Sequence, residues 1–232
     1  MSHKNKITPI LLLIVLILIP TLFFIIFSEN IKETIISKLS SNLFFKEYFV
    51  RVKQKETKQT ISDYNNSLKL NPKNAELYYK RGDAFFELGK YDDALKDYSK
   101  AIKLKPNYTD AYFSRGIIYN RRKMYKEAVL EYKKVIKIDP NYIKAYYNIG
   151  SIFSVEMPNY KEAIFNSNKV IELNPKMSGA YYHLGLVYLK LEKPLEAKKQ
   201  FELFLKYAPI DSLYRWAAKS WLKDIEEGSW KK

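Results

Sequence analysis

The side chains that carry most enzyme chemistry are sparse in this chain. There is no Cys, which removes disulfides, thiolate metal sites and Cys nucleophiles. The two histidines, His3 and His183, stand far apart in sequence, so no His-based metal cluster is available. His183 has no acid or nucleophile nearby in sequence with which to build a catalytic relay. No P-loop, G-x-S-x-G, H-E-x-x-H or dinucleotide-binding glycine motif occurs. Asp92 and Asp93 pair two carboxylates, but in a turn, where helix capping is the expected use. Two sequons, Asn65-Asn66-Ser67 and Asn107-Tyr108-Thr109, matter only in a eukaryotic secretory lumen. The sequence therefore predicts no catalytic residue, no metal site and no cofactor. The chemistry left to it is binding, through 20 Tyr, 13 Phe and a net charge of +15.

What must position those side chains is a repeat. Gly82, Gly116, Gly150 and Gly185 are spaced by 34, 34 and 35 residues. Pro72, Pro106, Pro140, Pro175 and Pro209 keep the same rhythm, as do Ala94, Ala128, Ala163 and Ala197. Tyr78, Tyr112, Tyr146 and Tyr181 form a fourth series, and Phe85, Tyr119, Phe153 and Tyr188 a fifth. Five series in one phase mark stacked copies of one supersecondary unit. A helix-interior Gly costs about 1 kcal/mol against Ala, so its recurrence implies a close approach between two helices. Each Pro closes a unit, because the residue before Pro avoids helical dihedrals.

The first full unit reads Tyr78, Gly82, Phe85, Ala94, Tyr98, Ala101, Pro106. With its 34-residue period it resembles the tetratricopeptide repeat family over roughly residues 59–211. That resemblance implies an all-α solenoid of antiparallel helix pairs with a concave groove. Four units are expected, at 75–108, 109–142, 143–177 and 178–211. The third has one extra residue, expected in the turn V-E-M-P-N-Y, and puts Ser167 where a second-helix aromatic belongs. Residues 59–74 match a second helix alone and read as a half-repeat. Residues 28–58 are expected to be a helical linker or a degenerate first helix, and 212–228 a capping helix with Leu213, Trp216, Ala217, Trp221, Leu222 and Ile225 at helical spacing.

In this family the groove is lined mainly by first helices and commonly holds a peptide or helix. The residues that the resemblance places there are Tyr79, Lys80, Asp83 and Glu87 from the first unit, and Phe113, Ser114, Ile117 and Arg121 from the second. Tyr147, Asn148 and Ser151 follow from the third, then Tyr182, His183, Leu186 and Lys190 from the fourth. Tyr79, Phe113, Tyr147 and Tyr182 share the fifth place of each unit; they read either as a ladder gripping a peptide or as packing beside the preceding Tyr. Members of the family that hold acidic chaperone tails use five Lys, Asn and Arg residues. Here those places carry Tyr79, Asp83, Ser114, Lys144 and Asn148, of which only Lys144 fits, and registering one unit later retains only Asn148. A chaperone-tail clamp is therefore not expected.

Residues 1–6 form a short tail. Residues 7–27 carry no charge over 21 positions, about 32 Å as a helix, which spans a bilayer core. No A-x-A pattern follows, so a retained single-pass anchor is expected rather than a cleaved signal. Lys4 and Lys6 favour a cytoplasmic N-terminus, opposed by Lys32 and Lys38; the balance tips towards an array outside the cytoplasm. The resulting expectation is a membrane-anchored scaffold that is not an enzyme and that binds a partner protein or peptide. The alternatives are a cytosol-facing import-type receptor and, in another class, a basic nucleic-acid-binding protein. The last is disfavoured because Lys96, Lys100, Lys103, Lys133, Lys134 and Lys137 scatter over second helices without a known motif.

Overall fold

The computed structural model describes residues 43–230, and the anchor expected at 7–27 lies outside them. Among the described residues no helix is long and apolar enough to cross a membrane. Every element described is helical. The order is α1 (Leu43–Leu70), α2 (Ala75–Glu87), α3 (Tyr91–Leu104), α4 (Thr109–Arg121), α5 (Tyr125–Ile138), α6 (Ile143–Ser151), α7 (Tyr160–Leu173), α8 (Ser178–Lys190), α9 (Pro194–Tyr207) and α10 (Tyr214–Glu226). Two compact units divide at Gln59/Thr60. In the leading unit the described part is the start of α1, with an Arg51–Glu47 ion pair at 2.7 Å along its exposed surface. The second unit carries the repeats.

Residues 43–58 do not fold back as a separate first helix. They run without a break into the helix through Leu70, because the stretch Lys53–Thr60 has neither Gly nor Pro and is rich in helix formers. The repeats that follow are pairs: α2 with α3, α4 with α5, α6 with α7, α8 with α9. Lys105, Asp139, Asn174 and Ala208, each preceding a Pro, close their helices in extended backbone. Asn74 caps α2 by accepting from the Glu76 and Leu77 amides at 2.9 and 3.1 Å. The Asp92–Asp93 pair does not cap: Lys90 holds that position, and the two carboxylates sit in the first turn of α3, where the helix dipole favours them.

The glycine series has a specific cause. A Cβ on Gly82 would lie 2.7 Å from the Tyr98 ring, on Gly116 2.6 Å from Tyr132, and on Gly185 2.5 Å from Phe201. The first helix thus gives room to the aromatic of the second helix, while Ala94, Ala128, Ala163 and Ala197 are fully buried beside it. The third unit departs from this plan. Ser167 replaces the ring, and a Cβ on Gly150 would meet its hydroxyl at 3.1 Å, with its amide at 3.5 Å and the Asn166 Cβ at 3.7 Å. Three units turn between their helices through one left-handed residue, Gly89 (φ 72°), Lys123 (φ 59°) or Glu192 (φ 56°). In the first turn the Lys90 amide donates to the Phe85 carbonyl and the Gly89 amide to that of Phe86, both at 2.9 Å. The extra residue of the third unit does not lengthen a loop. It widens the end of α6 into a π turn at Ile152–Glu156, where the Met157 amide donates to the Ile152 carbonyl at 2.9 Å.

Helix α10 covers the last pair. Ala218 is fully buried, and Trp221, Leu222 and Ile225 pack with Phe201, Phe204 and Ala208. Leu213 and Trp216, expected on that buried face, are instead 91% and 79% exposed, because the helix turns Ala218 and Trp221 inward.

Candidate groove face

Each first helix carries its groove candidates at the fifth, sixth, ninth and later places, and the second helix behind it sets their depth. Tyr79 rests on Tyr98 of its own pair at 5.7 Å between ring centres and on Tyr108, which leads into the next pair, at 4.9 Å. Phe113 repeats this with Tyr132 at 5.6 Å and Tyr142 at 5.0 Å. Tyr182 does so with Phe201 at 5.9 Å, Phe204 at 5.2 Å and Tyr214 at 5.0 Å. The ladder aromatics are half-buried stacking elements between neighbouring units.

Tyr147 lacks a ring at Ser167 to rest on. It lies over His183 at 4.9 Å and against Gly179, where a Cβ would come within 2.6 Å of its hydroxyl. His183 is therefore a correction to the sequence reading. It is buried under Tyr147 with its Nδ1 atom unpartnered, and burial pushes its pKa down to about 4. The Ser167 hydroxyl is likewise buried without a partner. The Tyr132 hydroxyl of the second unit is also buried without one, so unpaired polar atoms are not confined to this joint.

A polar network fills the first two units. The Tyr98 hydroxyl donates to Asp83 at 2.6 Å, and Tyr79 and Ser114 close on the same site. Burial raises the Asp83 pKa, and the two tyrosine hydroxyls partly counter that shift. Tyr98 and Tyr79 are pushed well above the ordinary phenol range, first by burial and then by Asp83. Tyr108 rises to about 12 through burial, with the nearby Glu76, Asp110 and Asp83 carboxylates adding to it. Among the described residues no Lys or Arg forms an ion pair with Asp83. Lys80 is exposed and engaged with Glu76 at 2.7 Å. Arg121 is exposed and lies over the Phe86 ring at 5.3 Å. Ile117, Asn148, Ser151 and Leu186 are half-buried, and Lys190 is exposed.

Two buried ion pairs were not read from the sequence. Arg81 grips Asp97 through two bonds of 2.7 and 2.6 Å and also donates to Asn65 at 2.7 Å. Arg115 repeats the pattern with Glu131 at 2.6 Å and Ser99 at 3.1 Å. Each Arg thus ties its own pair to the second helix of the preceding unit, and Asn65 stands to Arg81 as Ser99 stands to Arg115. That match puts the end of α1 in register as the second helix of a leading half-unit. The signal was present: both pairs span 16 residues and recur 34 residues apart. In the third and fourth units the places of Arg are taken by Ile149 and Leu184, and those of the acid by Asn166 and Gln200.

Among the described residues no cluster of three or more His, Asp or Glu could hold a metal ion. Profiles of the TPR repeat match residues 50–89, 82–122 and 118–154, and a tetratricopeptide repeat profile matches 143–177 and 178–211. No curated protein matches the chain in sequence. Among solved structures, MamA is similar with a TM-score of 0.62 and 25% identity, over 72% of this chain and 94% of that one. YrrB, described as a TPR protein with an unusual peptide-binding site, gives a TM-score of 0.62 at 20% identity, over 81% of this chain and 97% of that one. Pseudomonas aeruginosa pilF gives 0.56 at 24% identity, over 66% and 68%.

Proposed function

The chain belongs to the tetratricopeptide repeat family, and from that premise we propose that it is a membrane-anchored scaffold, not an enzyme, that captures a partner peptide or helix on the face of α2, α4, α6 and α8. The observation that carries this reading is the phased set of half-exposed groups on those first helices. Tyr79, Phe113, Tyr147 and Tyr182 offer ring faces, Ile117 and Leu186 offer apolar contact, and Asp83 is a carboxylate with no cationic partner of its own. A peptide supplying an apolar side chain and a basic group would complete that face. The peptide-binding site named for YrrB supports the same mode of use.

The anchor is residues 7–27, on the strength of their length and lack of charge. The array then sits outside the cytoplasm, and the scaffold serves assembly of a membrane or envelope complex. Two experiments test these parts separately. A peptide selected from a displayed random library against the full chain should lose about tenfold or more in affinity with Ile117→Glu or Leu186→Glu while helicity is retained; unchanged affinity would remove the groove from the mechanism. Ser229→Cys, in a chain with no other Cys, should react with an impermeant thiol reagent on intact cells. Labelling only after lysis would instead support the cytosol-facing receptor.

A further inference from the structure

The second helices of the first two units carry an exposed lysine face that the groove does not use. Lys100 and Lys103 lie on α3, and Lys133, Lys134 and Lys137 on α5, all exposed. Lys134 is neutralised by Glu131 at 3.1 Å, a carboxylate that also serves Arg115. Lys103, Lys133 and Lys137 have no carboxylate within ion-pair distance among the described residues. The same register in the third unit is self-neutralising: Glu172 stands where Lys137 does, and pairs with Lys169 at 2.7 Å. Later in the chain Lys198 pairs with Glu226 at 2.9 Å and Lys223 with Glu227 at 3.7 Å, whereas Lys199 and Lys206 on α9 form no ion pair among the described residues. Lys103, Lys133 and Lys137 thus set three lysines without an ion pair on the second helices of two consecutive units.

The face also has a notch. Pro106, Asn107, Tyr112, Lys134, Lys137 and Ile138 line a cavity of about 460 Å³, room for a small anionic headgroup. None of these is a groove candidate. We infer that this lysine face is a contact surface for an anionic lipid bilayer. The inference rests on the membrane anchor proposed above, since the first two units are the repeats next in the chain to it.

Three observations favour lipid phosphate over nucleic acid. The charges offered are ammonium groups, which meet phosphates as point charges without geometric demand. The arginines of this region are committed elsewhere: Arg81 and Arg115 to internal carboxylates, Arg121 to Phe86 and Arg122 to Asp92 at 2.9 Å. No guanidinium fork remains on the face to read a base edge. The rings on the face are already covered, Tyr78 by Lys100 at 5.9 Å and Tyr112 by Lys134 at 5.4 Å, so neither is a bare platform for stacking bases. A basic surface brought against a bilayer adds attraction to anionic headgroups and weakens with salt.

The test uses the full chain in nanodiscs of phosphatidylcholine alone or mixed with phosphatidylglycerol, with amine-reactive labelling of each lysine read by mass spectrometry. At low salt, labelling of Lys103, Lys133 and Lys137 should fall about threefold in the anionic discs and recover at about 0.5 M salt, with Lys176 and Lys190 unchanged. In the chain carrying Lys103→Glu, Lys133→Glu and Lys137→Glu, the protection of Lys100 and Lys134 should disappear. Equal labelling in both lipids overturns the inference, as does protection by duplex DNA or polyglutamate at the same ionic strength where anionic lipid gives none. A chain that fails to enter neutral discs defeats the anchor instead. The lysine face is then tested with anionic vesicles added from outside, by the same contrast.

Discussion

The second and third repeat units follow one plan and are held together by different means. In the second, a Tyr132 ring fills the space left by Gly116, a buried Arg115–Glu131 pair ties the helices, and a single left-handed residue turns the chain. In the third, the Ser167 hydroxyl stands over Gly150 in place of a ring, Ile149 and Asn166 replace the ion pair, and a π turn replaces the left-handed one. The helices still pair, so no single device is indispensable to the architecture. What differs is how much each residue is constrained, and the difference converges on the joint where Tyr147 covers His183. A solenoid adds stability unit by unit, so such local differences should be separately measurable.

The largest expected contrast is between two identical substitutions. Gly116→Ala puts a methyl 2.6 Å from a fully buried ring that has nowhere to move, and should destabilise by about 2–3 kcal/mol. Gly150→Ala is tight only against the Ser167 hydroxyl at 3.1 Å, which can rotate away, with the Ser167 amide and Asn166 Cβ in ordinary contact at 3.5 and 3.7 Å; it gains helix propensity, so it should be neutral or stabilising by up to about 1 kcal/mol. Urea unfolding of the two variants decides it; equal damage would mean that both units are packed alike.

Acid should act on the joint next. His183 has a folded pKa of about 4 against 6.5 in its ordinary state, so the unfolded chain takes up its proton first. Its contribution is intact above about pH 7 and lost as pH falls from 6.5 through 4, by about 2–3 kcal/mol. In His183→Asn, which copies Asn148 of the preceding unit, that slope should flatten. A slope between pH 6.5 and 4 that is unchanged in the variant would assign the acid sensitivity to carboxylates.

The ion pair offers a third contrast. Arg115→Ile alone leaves the 7%-exposed Glu131 side chain with only the exposed Lys134 at 3.1 Å as a partner and should cost about 1–2 kcal/mol. Adding Glu131→Asn copies the solution of the third unit and should recover most of that loss. A double variant as unstable as the single one would show that the pair holds the helices rather than merely satisfying each other.

The architecture was legible because Gly, Ala and Pro report backbone constraints that no partner can substitute. Gly82, Gly116 and Gly185 mark a ring pressed against a helix, and Pro marks each exit. The groove set was legible only as places in a register. Depth depends on the neighbouring unit: Ser114, Asn148 and His183 share one place, yet only His183 is buried, because the small Ser167 behind it lets Tyr147 lean across. By residue type alone Arg81 and Arg115 do not stand out in a Lys-rich chain, and their 16-residue spacing to an acid is meaningful only once the helices are known to be antiparallel. The extra residue of the third unit was countable, but sequence does not say whether a helix or a loop absorbs it.

The turns give the smallest contrast. Lys123 is left-handed at φ 59°, a conformation that strains a side chain bearing a Cβ and suits glycine. Lys123→Gly should therefore stabilise by about 0.5–1 kcal/mol, as the first unit already does with Gly89 in that place. In the third unit no residue has positive φ, and Val155 and Glu156 lie within the π turn. Val155→Gly there relieves no strain, and flexibility gained by the unfolded chain should cost about 0.5–1 kcal/mol. Opposite signs in the two thermal melts would confirm that the third unit turns by widening its helix rather than by reversing its backbone, whereas stabilisation by both glycines would mean that it too passes through the left-handed state.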